Sequence, residues 1–323
     1  MSDVVQKFFK VAEHVFSVGG RFAETCGELM GNYAPFAIDG GDGETLFSLV
    51  VETDGSAPAY AEEIRQDEEG QVIICGHTAA GESVFEYILR GVTAGTLVCS
   101  TDYRQSTLFL PSSNKEPRLQ KYALDNALMV LYALAAAPYG TVLFHAAVVS
   151  CQDKGYMFLG KSGTGKSTHA RLWLQHVVGS ELMNDDNPVV RFFNDVDGKP
   201  CARVYGSPWS GKTPCYRNVE APLGGIVLLS QAPYNKIVRL RGVQAYAALV
   251  TSISGKRWDK RIADGLHATE NALAGKVPVW HLECLPDEAA ARLCCASVVK
   301  PSTSLDPSCL RTQDDDVLTG GGL

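Results

Sequence analysis

The 323-residue sequence predicts an α/β fold with mixed sheets, in which a smaller N-terminal α+β domain precedes a larger domain of alternating helices and strands. Three observations predict it. Short β-like runs separated by Gly, Asp and Ser dominate up to about residue 117. Helix-like and strand-like segments then alternate from residue 118 to about residue 300. Within this second part, one apolar run leads directly into a glycine-rich turn and a helix-like segment.

The first domain is predicted over residues 1–117 and ends at a linker, Pro111–Lys115, which is rich in turn-forming residues. A helix is expected at Val4–Val15. The strands expected after it are Thr45–Glu52, Gln71–Cys75, Ser83–Leu89 and Thr96–Ser100. This half contains no pattern of catalytic residues.

The second domain is predicted over residues 118–300, and a polar tail rich in Gly and Asp, expected to be flexible, follows at 301–323. Its predicted helices are Leu119–Ala137, Thr168–Val178, Val243–Ile253, Arg261–Ala274 and Asp287–Val298. Its predicted strands are Thr141–Ser150, Tyr156–Leu159, Leu182–Asn184, Val189–Phe193, Ala202–Tyr205, Gly225–Ser230 and Val277–Cys284.

The segment Gly160–Ser167 has the sequence GKSGTGKS, which matches G-x-x-x-x-G-K-[ST]. Glycines let backbone N–H groups approach phosphate oxygens without a Cβ in the way. We expect Lys166 to reach the β- and γ-phosphates of ATP and the Ser167 hydroxyl to ligate Mg²⁺. The expected nucleotide-binding residues of the loop are Gly160, Ser162, Gly163, Thr164, Gly165, Lys166, Ser167 and Thr168. A chance lysine in a glycine-rich turn is the alternative, which the flanking strand and helix disfavour.

An acidic pair, Asp185-Asp186, follows the next predicted strand. Near a phosphate loop, one carboxylate of such a pair can hold Mg²⁺ while the other accepts a hydroxyl proton. The alternative is a solvated turn or cap. His145, in the strand that precedes the loop strand, can orient an acidic base, whereas a histidine packed in the core is its alternative.

A second loop rich in Gly, Ser and Lys, Gly206–Thr213, follows the predicted hairpin. Lys212 within it and Arg217 after it can bind phosphate or acceptor, and a plain surface loop is the alternative. Another set of basic residues is expected to be the solvated start of a helix: Lys256, Arg257, Lys260 and Arg261.

Composition limits the partners. There are 29 Lys and Arg against 36 Asp and Glu, a net charge of −7 without a long basic run, which argues against nucleic acid or an anionic membrane surface. The uncharged stretch Ala127–Phe144 is interrupted by Pro138–Thr141, so no membrane span is predicted. The ten cysteines include no C-x-x-C pair, and the start lacks the regions of a signal peptide, so a cytoplasmic protein is expected.

His145–Val149, Gly160–Ser167 and Asp185-Asp186 together resemble the C-terminal kinase domain of HPr kinase/phosphorylase. That family belongs to the phosphoenolpyruvate-carboxykinase-like group of P-loop kinases, and the resemblance covers roughly residues 118–300. It implies that Lys166 and Ser167 serve ATP and Mg²⁺, and that Asp185 belongs to the metal shell. It further implies that Asp186 is a general base held by His145.

The sequence also departs from the family, which usually has Glu where Thr168 follows the loop and has a downstream HPr-handling signature that Ser207–Lys212 lacks. The resemblance therefore implies a kinase that transfers the γ-phosphoryl of ATP to a hydroxyl, a Ser on a protein or peptide, with HPr not assigned. A small-metabolite kinase and a non-catalytic ATP-binding regulator are the alternatives. The N-terminal domain and Ser207–Thr213 are expected to choose the acceptor, unless that domain only shields an apolar face. The oligomeric state stays open, a homo-oligomer included.

Overall fold

The computed structural model describes residues 6–20, 29–40, 43–53, 55–113, 115–211 and 213–299. Within these ranges the chain forms two mixed β-sheets and five α-helices, which is a mixed α/β architecture. The predicted tail at 301–323 and Lys212 lie outside the described residues.

The first sheet contains nine described strands, all from the first third of the chain. They are β1 (Lys7–Val11), β2 (His14–Gly19), β3 (Ala37–Ile38), β4 (Ser48–Glu52), β5 (Tyr60–Glu68), β6 (Gln71–Thr78), β7 (Ser83–Leu89), β8 (Val92–Cys99) and β9 (Gln105–Phe109). Their order across the sheet is β3-β1-β2-β4-β9-β8-β7-β6-β5. A six-residue 3₁₀ helix, Gly31–Phe36, precedes β3.

The predicted helix Val4–Val15 is wrong over its described residues, because they form the antiparallel hairpin of β1 and β2. Ala12 and Glu13 supply the two successive positive φ angles, +45° and +65°, of a tight hairpin turn. Phe9 and Phe16 face each other across the hairpin and are buried. In a run this short, the spacing of apolar residues does not distinguish a helix from a strand, which explains the error.

The four other strands predicted in this half are confirmed as β4, β6, β7 and β8, with shifted ends. The prediction missed β3, β5 and β9. Nearly every residue of β5 is exposed, so this edge strand carries no alternating apolar pattern. The strand has the sequence YAEEIRQDE, in which five of the nine residues are charged. Charged residues are common in edge strands, where they prevent pairing with another chain.

Helix α1 (Pro117–Ala136) begins with a proline at its first turn and packs against strands of both sheets. Leu124, Leu128 and Leu131 are completely buried along it. One continuous hydrophobic cluster includes α1 together with residues of the first and second sheets. The two halves of the chain therefore share a core.

The second sheet is built from the nine remaining described strands. They are β10 (Thr141–Leu143), β11 (Ala146–Cys151), β12 (Lys154–Leu159), β13 (Glu181–Asp186), β14 (Val189–Asn194), β15 (Pro200–Tyr205), β16 (Glu220–Gln231), β17 (Lys236–Leu240) and β18 (Val279–Cys284). Neighbouring strands run β10-β14-β15-β16-β12-β11-β13, and β18 pairs with both β16 and β17. The prediction missed β17.

The helices of this half are α2 (Lys166–His176), α3 (Val243–Val250), α4 (Lys260–Lys276) and α5 (Glu288–Val298). Each confirms a predicted helix with shifted ends. A second hydrophobic cluster joins α2 and α5 to the sheet, with Trp173 completely buried in it. None of the described helices has the length and apolar character needed to cross a membrane.

The predicted strand Thr141–Ser150 is wrong in one respect, because it is divided into β10 and β11 at His145. The backbone N–H of Phe144 donates to Pro188 O (3.1 Å), and that of His145 donates to Ser252 O (2.7 Å). These bonds to other segments replace the sheet ladder at this point. The histidine therefore lies at a break between strands.

Candidate functional site

The register of three strands brings the sequence motifs to one edge of the second sheet. Ala146, the first residue of β11, is paired with Leu159 of β12 on one side and with Asp186 of β13 on the other. His145 precedes Ala146, Gly160 follows Leu159, and Asp186 ends its strand. The motifs that lie far apart in sequence are thus neighbours in the fold.

The segment Gly160–Ser167 forms a turn between β12 and α2. Gly160, Gly163 and Gly165 have φ angles of +155°, +76° and +107°, which side chains other than glycine rarely adopt. Gly165 caps the N-terminus of α2. A Cβ at Gly163 would meet no atom within 4 Å, so this part of the loop is open on its outer side. A helix N-terminus behind an open glycine turn attracts anions.

Lys166 is the first residue of α2, and its ammonium group folds back over the loop. Nζ donates to Gly160 O (2.9 Å) and Lys161 O (3.3 Å) and lies 2.8 Å from Nε2 of His145. Burial lowers the pKa of Lys166, while Asp186 and Asp185 act in the opposite direction and raise it. The two carboxylates are therefore close enough to favour the charged amine.

His145 also contacts the acidic pair. Its Nδ1 lies 3.0 Å from Oδ1 of Asp186, opposite the nitrogen that faces Lys166. Because an ammonium group can only donate, Nε2 is the acceptor of the contact with Lys166, which leaves Nδ1 as the protonated nitrogen. Lys166, His145 and Asp186 thus form one continuous chain of polar contacts across the loop.

Asp186 has a strained backbone, with φ of +144°. Its second carboxylate oxygen, Oδ2, accepts a hydrogen bond from Asn187 Nδ2 (2.9 Å). The chain approaches Asp186 closely at Gly211, where an added Cβ would lie 3.1 Å from Cβ of Asp186. Asp185 is buried, with 4% of its surface exposed. A carboxylate in that setting requires nearby positive charge.

The loop Gly206–Gly211 covers this acidic pair. Gly211 N–H and the Ser210 hydroxyl both donate to Asp185 O, at 2.6 and 3.1 Å. Ser210 also forms an antiparallel bridge with Asp186. The loop thus lies against the acidic pair.

Arg217 is not brought to the phosphate loop. Its guanidinium donates to Leu182 O (2.7 Å) and to the carboxylate of Glu181 (2.8 Å). Those residues begin β13, whereas Asp186 ends it. The described contacts of Arg217 are therefore those of a strand-end ion pair.

Sequence reasoning missed Asn184, which is completely buried in β13. Its Nδ2 donates to Ser207 Oγ (3.1 Å) and Trp209 O (3.2 Å), and its Oδ1 accepts from Asn187 N (2.9 Å). One side chain thereby ties the loop to the acidic strand end. The signal in the sequence was an amide placed directly before Asp185-Asp186 in an otherwise apolar strand.

The N-terminal half also holds this loop. Trp209 Nε1 donates to the Tyr33 hydroxyl (3.0 Å), and Asn32 Nδ2 donates to Pro208 O (2.9 Å). Tyr33 and Asn32 belong to the 3₁₀ helix before β3. These contacts link residues that are 176 positions apart, so no local sequence pattern could indicate them.

A cleft of about 700 Å³ opens beside the phosphate loop. Gly163–Gly165 form one of its walls, and Gln231 at the end of β16 donates to Gly163 O (3.2 Å). The apolar residues around it are Leu172, Leu229, Ala232, Leu285 and Pro286. Its volume lies in the range of small-molecule and cofactor sites, about 300–1,000 Å³.

The residues present fit Mg²⁺ bound together with a nucleotide. No group of three or more His, Cys, Asp and Glu side chains forms a metal site in the part of the chain that the structure describes. Magnesium in nucleotide sites commonly uses one or two carboxylates, with phosphates and water completing the shell. The exposed Ser167 at the start of α2 and the buried carboxylate of Asp185 are of the required types.

Comparison with known proteins gives little further information. No family model matches the sequence, and no curated protein matches it. Among solved structures, the Hpr(Ser) kinase/phosphatase from Coxiella burnetii is 11% identical over 47% of this chain and 85% of that chain, with a TM-score of 0.27. This is a weak structural resemblance.

Proposed function

We propose that this protein is an ATP-dependent kinase that transfers the γ-phosphoryl group to a hydroxyl, a Ser on a protein or peptide. The observation that carries the proposal is the chain of contacts from Lys166 through His145 to Asp186. It joins a phosphate-binding lysine to a carboxylate that can accept a proton. A site that only senses a nucleotide has no need of such a carboxylate.

The nucleotide would lie along the phosphate loop, with its base in the adjoining cleft of about 700 Å³. Backbone N–H groups at the start of α2 and the helix dipole favour the phosphates there. Lys166 would exchange its contacts with Gly160 O and Lys161 O for phosphate oxygens. The positive φ angles of the loop glycines support this assignment.

Mg²⁺ would be held by Ser167 and Asp185, and when bound it supplies positive charge to the transferring phosphoryl group. Asp185 is buried close to Lys166, whose pKa it raises, so the two groups attract each other. The loop Gly206–Gly211 fixes the backbone of Asp185 through two hydrogen bonds to its carbonyl. These contacts position the carboxylate without occupying it.

Asp186 would accept the proton of the attacking hydroxyl. His145 Nδ1 and Asn187 Nδ2 each occupy one site on its carboxylate, and a carboxylate offers about four acceptor sites. Side-chain exposure of 43% at His145 and 33% at Asp186 leaves the base open to an acceptor from solvent. The hydrogen bond from Asn187 and the close contact with His145 orient the carboxylate for that transfer.

The test is to incubate the full chain with γ-labelled ATP and a cell lysate, and then to separate protein from small molecules. We expect label in the protein fraction, absent with Lys166→Ala and retained with Lys161→Ala, a change to an exposed lysine of the same loop. Label found only in small molecules would show that the acceptor is a metabolite and not a protein or peptide. Binding of ATP without any transfer would refute the kinase assignment and leave a nucleotide-binding regulator.

A further inference from the structure

A second pocket, of about 350 Å³, lies away from the phosphate loop, between the first sheet and helix α1. Its apolar walls come from β5, β6, β7 and α1, and the chain between Ile253 and Trp258 closes one side. The apolar side chains that line it include Ile64, Ile73, Phe85, Met129, Val130 and Leu134. None of these residues belongs to the proposed kinase site.

Lys256 is a polar member of this lining, and the structure differs here from the expected solvated helix start. The residue is only 8% exposed, whereas the side chain of Lys260 is 89% exposed. Nζ of Lys256 donates to Ser83 Oγ (3.2 Å). An ammonium group can donate three hydrogen bonds, and within the described residues Lys256 donates this one.

Nζ of Lys256 lies 5.8 Å from the centroid of the Trp258 ring, and its ion-pair partner is the carboxylate of Glu63. Its Oε2 lies 3.7 Å from Nζ, outside the usual hydrogen-bond range. The same carboxylate is engaged by Trp258 Nε1 (3.2 Å) and by His77 Nδ1 (3.0 Å). The buried amine therefore keeps donors for a further acceptor at the end of an apolar pocket.

We propose that this pocket binds a small apolar carboxylic acid of medium chain length. The alkyl chain would occupy the space between Phe85 of β7 and Val130 of α1, and the carboxylate would accept hydrogen bonds from Lys256. A buried cation is stabilised most strongly by a charged acceptor. The small volume favours a single short chain over a peptide.

Octanoate, 1-octanol and octylamine, titrated into the full chain by calorimetry, test the proposal because they share a chain and differ in the head group. We expect saturable binding of octanoate, about tenfold weaker binding of 1-octanol, and weaker binding still of octylamine. Quenching or enhancement of Trp258 fluorescence gives a second readout, since this indole is 50% exposed and borders the pocket.

Two variants and a control locate the ligand. Lys256→Met should lower octanoate affinity about tenfold and leave 1-octanol unchanged. Lys260→Met removes the same charge outside the pocket and should change neither. Val130→Phe should abolish binding of both by filling the space.

The proposal is overturned if octanoate does not bind saturably, or if 1-octanol binds as tightly as octanoate. Equal effects of Lys256→Met and Lys260→Met would also overturn it. If Lys256→Met does not fold, as judged by circular dichroism, the head-group series and Val130→Phe decide the question alone. None of these measurements depends on kinase activity, so failure here and failure of the proposed function are distinguishable.

Discussion

Nζ of Lys166 lies within hydrogen-bond distance, 2.8 Å, of Nε2 of His145. The lysine begins helix α2, and the histidine lies at the break between β10 and β11. The other ring nitrogen of His145 faces Asp186 at 3.0 Å. The imidazole thus connects the group that would bind phosphate to the group that would accept a proton. Removing any member changes the environment of the next, and their substitutions should not be additive.

Lys166→Ala should abolish ATP-dependent transfer and weaken ATP binding, because the charge aimed at the phosphates is lost. The fold should survive, since the lost hydrogen bonds are each worth about 1 kcal/mol. Calorimetric titration with ATP, together with thermal unfolding, measures both effects. Lys161→Ala serves as the control because that lysine is exposed in the same loop. Normal transfer by a folded Lys166→Ala protein would contradict the assignment of the loop.

Asp186→Asn should lower the transfer rate by roughly 10²–10⁴, the usual loss for a general base, with little change in ATP affinity. Asp185→Asn should instead raise the Mg²⁺ concentration needed for half-maximal activity. Initial rates measured over a range of ATP and Mg²⁺ concentrations separate the two effects. Should the variants prove kinetically interchangeable, the proposed division of roles between the carboxylates is wrong.

The strand, glycine-rich turn and helix around Gly160–Ser167 were predictable because the pattern is local. A strand, a glycine turn and a helix N-terminus are contiguous in sequence, and the structure has them as β12, Gly160–Ser167 and α2. The position of His145 suggested that it could orient an acidic base, and the resemblance implied that this base is Asp186. Their proximity follows physically from the register, in which Ala146 pairs with both Leu159 and Asp186.

Other features could not be predicted because they depend on contacts that are distant in sequence. The hydrogen bond between Trp209 and Tyr33 joins two halves that the sequence suggested were separate domains. Lys256 was predicted to be solvated, because nothing in the local sequence indicates its hydrogen bond with the distant Ser83. The hairpin that replaces the helix at Val4–Val15 depends on burial of Phe9 and Phe16, which only the packed sheet determines.

A fragment of residues 118–323 should aggregate when it is expressed alone. Helix α1 packs on both sheets, and a single hydrophobic cluster spans the two halves, so truncation exposes apolar surface such as Tyr132. Solubility, size-exclusion chromatography and ATP binding measure the outcome. An insoluble fragment favours shielding of an apolar face as one role of the N-terminal half. A soluble fragment that binds ATP but does not phosphorylate its acceptor would instead support a role in acceptor choice.

Tyr33→Phe offers a finer test of the same half in the full chain, because it removes only a hydroxyl, which accepts from Trp209 and also interacts with Asp125. We expect a loss of about 1 kcal/mol in the free energy of unfolding. A larger fall in acceptor phosphorylation than in ATP binding would show that this contact positions the loop. Equal effects on both would contradict a specific link to the acceptor.

Acid should destabilise the protein through two histidines, the half-buried His14 and the buried His169. Burial lowers the pKa of His14 and that of His169 from the ordinary 6.5 to about 4. Between these values the unfolded chain binds more protons than the folded one, so the stability contribution is complete above about pH 6.5 and is lost progressively as pH falls from 6.5 to about 4. Between pH 7 and pH 5 each histidine should lower the free energy of unfolding by roughly 2 kcal/mol.

His169→Gln isolates one of these contributions. His169 is 3% exposed, and its Nε2 accepts a hydrogen bond from Trp173 Nε1 (3.2 Å), which the amide oxygen of glutamine can also accept. Urea unfolding at pH 7 and pH 5 should show that the variant loses about 2 kcal/mol less stability than the wild type over this interval. His267→Gln, a change at an exposed histidine of α4, is the control and should leave the wild-type pH dependence intact. If the pH dependence of His169→Gln equals that of the wild type, burial does not lower the pKa of His169 as proposed.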